Sequence, residues 1–407
     1  MDKKKSSGVS WTIRYALLNI AYFAAFCTIH ACAAVYLLSN GFSNTEVGVL
    51  LAVANIISAV LQPLVAGVID RPGFLTNRRF ILFSVLVILA GALILMASPG
   101  KAVIFIVYAL IYMVQFVYQP VMTALCFEYQ KAGCNIFYGL ARGLGSAGFA
   151  FTSLIIGRIV EKDGVFVLLL VDVASMLLSA VLIFTFKKPE ETSSPEETER
   201  KEAAPSKGEA HNSLSSFVKT YPAFSLFLAG VVCFFFAHNM INDFMIQIIR
   251  NLGGGETELG YSNFLQAILE LPVMALIGIV LKRIRADRLL VLSGAAFFVK
   301  ILILVFAGSM PVMYFSQCFQ LFAYAVFVPA GAYYVSETME ELDQVKGQAY
   351  ITSAITIGGV FSNLISGVIL DHKGIKTMLL TGSAVCAAGV LAAVFAMTRL
   401  PHHKKTS

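Results

Sequence analysis

The sequence predicts an all-α polytopic membrane protein, with twelve transmembrane helices in two pseudo-symmetric six-helix bundles. Its 407 residues are 58% hydrophobic and 13% charged, with a mean hydropathy of +0.78. Soluble domains carry about 25% charged residues, roughly twice as many. The apolar residues fall into twelve stretches close to the ~20 residues that a bilayer-spanning helix needs. Stretches of this length must be helical, because lipid offers the backbone no other hydrogen-bond partner.

The twelve stretches divide into two sets of six. In the first set the expected bounds are 12–38, 45–69, 79–98, 102–127, 136–160 and 164–186. In the second set they are 220–249, 257–281, 288–308, 311–336, 347–370 and 376–398. The first stretch follows three lysines, as a signal peptide would, but it continues past Tyr36 and many spans follow. We therefore expect a first transmembrane helix there.

A polar segment separates the two sets. Residues 187–219 are rich in Glu, Ser and Pro and have almost no apolar content, which is the composition of a disordered chain. We expect an N-terminal six-helix bundle over 1–187, a disordered cytoplasmic linker over 188–219 and a C-terminal six-helix bundle over 220–407.

Lys and Arg are distributed unevenly between the two sides of the predicted membrane. With both chain ends inside, the inner loops and tails hold 15 of these residues and the outer loops and helix ends hold six. Cytoplasmic loops carry such an excess, so we expect a plasma-membrane protein with both termini cytoplasmic. The net charge of +6 then reflects orientation in the bilayer, and no nucleic-acid partner is expected.

The two halves repeat one another in the same orientation. Four helix pairs match in order at an offset of 209–212 residues, and the clearest match is Thr45-Glu46-x-Gly48 with Thr257-Glu258-x-Gly260. The other matches are Gly67 and Arg71 with Gly278 and Arg283, Pro120 and Glu128 with Pro329 and Glu337, and Gly148, Gly157 and Gly164 with Gly358, Gly367 and Gly374. Repeats of this kind are the mark of a secondary transporter whose solute site lies between the halves.

The connection after the second span carries a family motif. It reads Gly67-Val-Ile-Asp70-Arg71-Pro-Gly73, and Arg78-Arg79 follow. This resembles the loop signature of the major facilitator superfamily. The preceding Gln62-Pro63-Leu64 and the stretch 138–150 are similar to motifs of the oligosaccharide:proton symporters, the lactose permease-like branch. The resemblance implies the major facilitator fold. A loop acid near arginines can latch the inward gate, so the expected gating residues are Gly67, Asp70, Arg71, Arg78 and Arg79.

The same resemblance implies where the solute binds. Arg142 matches the sugar-binding arginine of the fifth helix, and Phe149 matches its stacking tryptophan. Glu128 matches the acid that pairs with this arginine, so we expect a Glu128–Arg142 pair. Lys300 falls where the ninth helix of that group carries an arginine. The titrating His and Glu of the tenth helix are replaced here by Gln320 and Ala323, so the coupling proton needs another carrier.

Charged residues inside the spans are the candidates for that carrier. Each costs roughly 2.5–3.5 kcal/mol if it is exposed at the bilayer centre, so each must face a cavity, pair or titrate. Glu270 lies in mid-span between apolar neighbours and is the predicted proton carrier, with Asp243 as the alternative. His238, on a polar helix face with Asn242 and Asp243, can bind hydroxyls or titrate. The remaining charges in the spans are Arg142, Asp172 and Lys300.

These features favour a proton-coupled symporter of a sugar, an oligosaccharide or a similar polyhydroxylated solute. Nucleoside:proton symport stays open, because it needs the same mixture of polar and aromatic lining. Drug:proton antiport is less favoured, because residues 136–160 contain no proline. No enzyme motif and no metal-ligand spacing occurs. We expect a functional monomer that is not an enzyme, with no metal or cofactor, whose partners are the solute, protons and the lipid bilayer.

Overall fold

The structure is a computed structural model that describes residues 2–69, 75–186 and 214–399. All regular secondary structure in these ranges is helical. Ten stretches of the described chain are long and apolar enough to cross a membrane, and one of them, Asp343–Thr398, contains two helices. The helix Glu256–Val280, which carries three glutamates, completes the set. The predicted fold of twelve helices is thereby confirmed.

The N-terminal half contains the first six helices. The first, α1 (Asp2–Phe26), continues through a π-helical turn (Cys27–Ala31) into a short helix (Ala33–Ser39). The others are α2 (Asn44–Ile69), α3 (Asn77–Met96), α4 (Lys101–Lys131), α5 (Tyr138–Asp163) and α6 (Phe166–Thr185). Apart from the start of α1, which lies ten residues before the expected start at 12, their ends agree with the expected spans to within a few residues, because apolar length determines both.

The C-terminal half repeats this order. Its first helices are α7 (Pro222–Asp243, continued by Met245–Asn251), α8 (Glu256–Val280) and α9 (Ala286–Val305). Helix α10 runs over Met310–Cys318 and Tyr324–Thr338, joined by a 3₁₀ turn (Phe319–Leu321). The stretch Glu341–Arg399 is interrupted at Gly374, where φ is 76°, and this divides it into α11 (341–373) and α12 (375–399).

Two turns show that the internal repeat extends to backbone conformation. Gly41 and Gly253, between the first and second helices of each half, have φ of 79° and 83°. Gly164 and Gly374, between the fifth and sixth helices, have φ of 85° and 76°. Side chains disfavour this left-handed region, which glycine adopts freely. The repeated glycines therefore mark equivalent turns in the two halves.

The predicted linker is described only at its end. Residues 187–213 lie outside the described ranges. Residues 214–219, which composition predicts to be disordered, belong instead to a short helix, Leu214–Thr220. Phe217 on this helix is buried and packs edge-to-face against Tyr350, with 4.8 Å between ring centroids. This one aromatic side chain gives the segment a packing partner, and the prediction of disorder is wrong there.

The halves meet along two pairs of helices, α2 with α11 and α5 with α8. We call the membrane side where α6 ends and α7 begins the linker face, and the opposite side the far face. Helices α2 and α8 begin at the far face, and α5 and α11 end there. Each half also has its own aromatic core, such as Trp11 against Phe186 in the first and Phe234 against Phe297 in the second.

Candidate solute site

A cavity of about 360 Å³ lies between the two halves. Seven helices contribute to it, and its two walls differ in character. The wall from the N-terminal half is largely aromatic and contains Phe23, Phe26, His30, Ala31, Asn55, Tyr112, Phe116, Arg142, Ser146 and Phe149. The wall from the C-terminal half is largely polar and contains His238, Asn239, Asn242, Asp243, Asn263, Gln266, Ala267, Glu270, Gln320 and Tyr324.

Two crossings close the cavity at the far face. In the first, Gly48 of α2 lies so close to α11 that a methyl group there would collide with the carbonyl oxygen of Asn363. In the second, Gly260 of α8 stands in the same relation to the carbonyl of Ser153 on α5. Both crossings lie in the far-face halves of the four helices.

The repeated Thr-Glu-x-Gly motif builds these crossings. At α2, the Asp371 carboxylate of α11 accepts from the Thr45 amide at 2.7 Å and from its hydroxyl at 2.6 Å. The Glu46 carboxylate accepts from the Ser43 amide at 2.8 Å and so caps its own helix. Gly48 supplies the close approach. Each residue of the motif therefore has a separate structural role.

The second crossing has the same design. The Glu161 carboxylate of α5 accepts from the Thr257 amide at 3.1 Å, and Glu258 accepts from the Gly255 amide at 2.7 Å. In both crossings an acid from one half binds the N-terminal turn of a helix in the other half, where unpaired amides and the helix dipole favour negative charge.

Arg142 lies in the cavity wall, as predicted, but it does not pair with Glu128. Its Nη1 donates to the Ser146 hydroxyl at 2.9 Å, and its guanidinium lies 4.2 Å from the centroid of the Phe23 ring. Glu128 accepts instead from Asn77 at 2.9 Å and does not line the cavity. The predicted pair is wrong because the Glu128 side chain turns towards α3, whereas Arg142 turns towards α1.

Phe149 and His238 both line the cavity. Phe149 lies two helical turns beyond Arg142 and so on the same face of α5. The His238 ring stacks on Tyr324, with 5.3 Å between centroids and 10° between planes, and its Nε2 lies 2.9 Å from Asn242 Nδ2. Asp243 adds a carboxylate where α7 ends. The structure places these residues at the site, and their roles stay predictions.

Glu270 and Lys300 are connected through an amide. Glu270 lines the cavity and accepts from Gln320 Nε2 at 2.9 Å. Lys300 is fully buried and donates to Gln320 Oε1 at 2.8 Å and to Gln266 Oε1 at 3.2 Å. Lys300 therefore lies behind the wall, and its predicted direct contact with solute is not supported. The buried ammonium instead polarises an amide that binds the predicted proton carrier.

The predicted gating loop is described only in part. Asp70 and Arg71 lie outside the described residues. Gly67 is at the linker-face end of α2, with no neighbour within 4 Å of the place where a Cβ would lie. Arg78 donates to the carbonyls of Ile183 and Phe184 at 3.1 and 3.2 Å, and the Arg79 amide donates to Thr76. Arg78 thus ties α3 to the end of α6.

The sequence reasoning missed most of the amide side chains in the wall. They are Asn55, Asn239, Asn263 and Gln266. An inventory of amides within the apolar spans would have found them, since polar groups at this depth need a cavity or a partner. It also missed His30, which lines the cavity. Among the described residues, no three His, Cys, Asp or Glu side chains are grouped as metal ligands.

The twelve-helix architecture and the cavity between its halves define a membrane transporter of the major facilitator type. Residues 12–381 match the MFS_1 like family, and the chain belongs to this family. No curated protein matches its sequence.

Solved structures of transporters share the fold. A mutant of the nucleoside transporter NupG is similar with a TM-score of 0.78 and 14% identity, over 95% of this chain and 100% of that chain. An auto-inhibited POT family peptide transporter has a TM-score of 0.73 and 12% identity, over 97% and 98% of the two chains. The POT family transporter PepTSo has 0.73 and 11%, over 95% and 96%. Identities this low establish the fold, and the oligosaccharide:proton symporter branch stays a prediction.

Proposed function

We propose that this protein is a carrier, not an enzyme, which moves a neutral polyhydroxylated solute such as a sugar or oligosaccharide in symport with protons. The observation that carries the proposal is the difference between the two cavity walls. Aromatic rings on one side suit the apolar face of a solute ring, and amides on the other suit hydroxyl groups as donors and acceptors. A volume of about 360 Å³ suits one or two sugar rings.

Arg142 supports binding of hydroxyl groups. Its guanidinium is a rigid planar fork of donors, and among the described residues it donates to one partner, the Ser146 hydroxyl. Vicinal hydroxyls fit the remaining donors. Because an ammonium is a compact point charge without this fork, we expect Arg142→Lys to abolish solute binding. Normal binding by that variant would contradict the assignment.

Glu270 is the proposed carrier of the coupling proton. It faces the cavity and is linked through Gln320 to the buried ammonium of Lys300. When the carboxyl is ionised, the ammonium stabilises the charge through the polarised amide. When it is protonated, the cavity has one negative charge fewer. The proton can then be gained on one side and released on the other as the cavity alternates between the two faces.

A Glu270→Gln variant separates binding from coupling. It mimics the protonated state, so it should bind solute and exchange it across the membrane. It should not accumulate solute against a gradient, because it cannot release a proton. Proteoliposomes with an imposed pH gradient measure the two activities. Uphill accumulation by Glu270→Gln would show that another residue carries the coupling proton. Asp243, also in the wall, would be tested next.

A nucleoside is the second candidate solute. The same aromatic wall suits a base, the amides suit its polar edge, and the solved NupG structure with this fold is that of a nucleoside transporter. A drug:proton antiporter is less favoured, because the polar wall suits a hydrophilic solute. Thermal shifts of the purified protein with sugars, oligosaccharides, nucleosides and cationic drugs at several pH values discriminate the three, since a ligand stabilises the state that binds it.

The proposed setting is the plasma membrane, with a monomer as the working unit and the linker face towards the cytoplasm. The excess of Lys and Arg on the inner loops supports this orientation. Tags at either terminus should then be inaccessible to antibody in intact cells. Labelling of a terminus from outside would overturn the orientation.

A further inference from the structure

A second acid is buried in the N-terminal half, away from the cavity lining. Asp172 on α6 has no exposed surface. Its Oδ1 accepts from Gln115 Nε2 at 2.9 Å, and its Oδ2 has no hydrogen-bond partner. Among the ion pairs between described residues, none includes it. A buried, unpaired carboxylate costs roughly several kcal/mol, so the form that suits this place is the neutral carboxylic acid.

Gln115 connects this acid to the cavity. Its amide lies between Asp172 and His30, and its Oε1 is buried without a partner. His30 lines the cavity, and both of its ring nitrogens are buried without a hydrogen-bond partner. Buried polar groups normally have partners. Three neighbouring side chains with unpartnered atoms therefore lead from the cavity to the acid.

The backbone at His30 is also unusual. A π-helical turn, Cys27–Ala31, interrupts the first span there, and the Cys32 amide donates to the Cys27 carbonyl at 3.2 Å. The Tyr108 hydroxyl donates to the carbonyl of Ile29 at 2.6 Å and stabilises the turn. Single π turns within α-helices occur frequently at functional sites. Here the turn places His30 at the cavity wall.

The surroundings of Asp172 contain few titratable groups. From α4, Tyr108 interacts with it electrostatically. From the π turn, His30 is the nearest group along the Gln115 side chain. Helix α3, which packs on α6, has no titratable side chain after Arg79. The cation of α5 in mid-bundle, Arg142, is directed to Phe23. No described cation therefore compensates an ionised Asp172.

We propose that Asp172 is a second proton-binding site, which exchanges its proton with the cavity through His30 when the Gln115 side chain swings aside. The amide itself does not relay protons, so Gln115 acts as the barrier. The Asp172 carboxyl gives its proton to the neutral imidazole of His30, which becomes an imidazolium. The imidazolium gives the proton to cavity water. The Asp172 carboxylate is protonated again when a proton passes from cavity water through His30 in the reverse direction. The inference rests on the proposed proton coupling and adds a site in the other half.

Infrared difference spectroscopy tests this without a solute. The purified protein is compared at mildly acidic and mildly alkaline pH, in H₂O and in D₂O, and the probe is the C=O stretch of protonated carboxylic acids. We expect an Asp172 band that changes with pH and shifts in D₂O. Asp172→Asn should remove it, whereas Asp163→Asn, at the exposed end of α5, should leave it unchanged.

Two further variants test the route. In His30→Phe the band should remain, but its shift in D₂O should become at least about tenfold slower, corresponding to 1.4 kcal/mol of barrier. In Gln115→Leu, which keeps the carboxyl if Asp172→Asn fails to fold, the band should move to the frequency of a free acid and exchange faster. Bands unchanged by both Asp172→Asn and Gln115→Leu, or exchange in His30→Phe as fast as in the native protein, would overturn the proposal.

The experiment separates this inference from the proposed function. Glu270→Gln removes only the carboxyl band of Glu270. If that variant still accumulates solute uphill, the assignment of Glu270 as proton carrier fails. The proposal for Asp172 is then still tested by the Asp172, Gln115 and His30 variants. If the Asp172 band does not exchange in D₂O, Asp172 is a static packing acid, and coupling through Glu270 stands.

Discussion

The two ends of the same four helices are built differently. At the far face, α2 meets α11 and α5 meets α8 with backbone against backbone, at Gly48, Gly157, Gly260 and Gly367. At the linker-face ends of α2, α5 and α8, the equivalent small residues have no neighbour within 4 Å of the place where a Cβ would lie, and these are Gly67, Gly139 and Gly278. Among the described residues, these backbone contacts between the halves therefore hold the transporter closed at the far face.

The bonds at the closed end are of a kind that can be released. The ion pairs between described residues all lie within one half, for example Lys101 with Glu46 and Arg250 with Glu256. Between the halves, carboxylates accept from amides and a hydroxyl, Arg158 donates to the Tyr261 hydroxyl at 2.6 Å, and Gln247 donates to Asn44 Oδ1 at 2.9 Å. Such bonds at exposed sites are individually weak. Close packing at the glycines lets the helices of the two halves approach each other, and a few polar bonds hold them together at the far face.

The largest expected effect comes from filling the glycine contacts. Gly48→Val together with Gly260→Val would place side chains against the carbonyls of Asn363 and Ser153, at a cost of about 1–3 kcal/mol each. The closed far face should lose tenfold or more in population, because each 1.4 kcal/mol is a factor of about ten. Spin labels at Ser98→Cys and Ser309→Cys, on the far-face loops of the two halves, should report a longer distance.

The linker-face end of the same helices supplies the matched control. Gly67→Val and Gly278→Val make the same change in the same helices, α2 and α8, where no atom lies close. The distance between the far-face labels should not change in this variant. If both glycine pairs had the same effect, helix propensity and not contact between the halves would explain the result.

A smaller effect is expected from Asp371→Asn. The carboxylate accepts four bonds from Asn44 and Thr45, at 2.6–3.1 Å. An amide keeps one acceptor oxygen and loses the charge that favours a helix N-terminus, so closure should weaken by about 1 kcal/mol. Acidification of the far-face side should act in the same direction, since protonation also removes the charge. The measurement is the fraction of molecules that show the longer distance between the same labels, as a function of pH.

The smallest effect is expected from Glu161→Gln. Glu161 occupies the position equivalent to Asp371, but it accepts one backbone bond, from Thr257 at 3.1 Å. Its side chain is exposed, and the amide of Gln can still accept that bond. The label distances should change less than in Asp371→Asn. An effect as large as that of Asp371→Asn would show that the two crossings contribute equally to the stability of the closed far face.

Much of the fold could be predicted from the chain itself. Twelve apolar stretches, the 209–212 offset and the matched glycines Gly164 and Gly374 all follow from local composition and spacing. Glu270 and His238 are expected at a cavity because a polar or charged group in mid-span must face one, whereas Arg142 and Phe149 are expected there from the family resemblance. The structure does line the cavity with these residues.

The direction of long side chains could not be predicted. Glu128 and Arg142 are at similar depth, but one turns towards α3 and the other towards α1. Lys300 lies on a helix that packs behind the wall, with Gln320 between it and the cavity. Helix rotation in a bundle depends on packing against every neighbour, which a pattern along one helix does not contain. The family resemblance indicated where these residues lie along their helices, but it did not indicate the directions in which their side chains point.

The Thr-Glu-x-Gly motif marks the limit between the two sources of information. The sequence by itself determined that the motif recurs, that Glu46 and Glu258 follow helix starts, and that the halves are repeats. Only the tertiary structure decided which acids bind the threonines. In the chain, Asp371 lies hundreds of residues from Thr45, and Glu161 lies about a hundred residues from Thr257. Local periodicity specifies a helix and its own cap. Contacts between halves depend on how two separately folded bundles meet, and in this structure they meet at the far face.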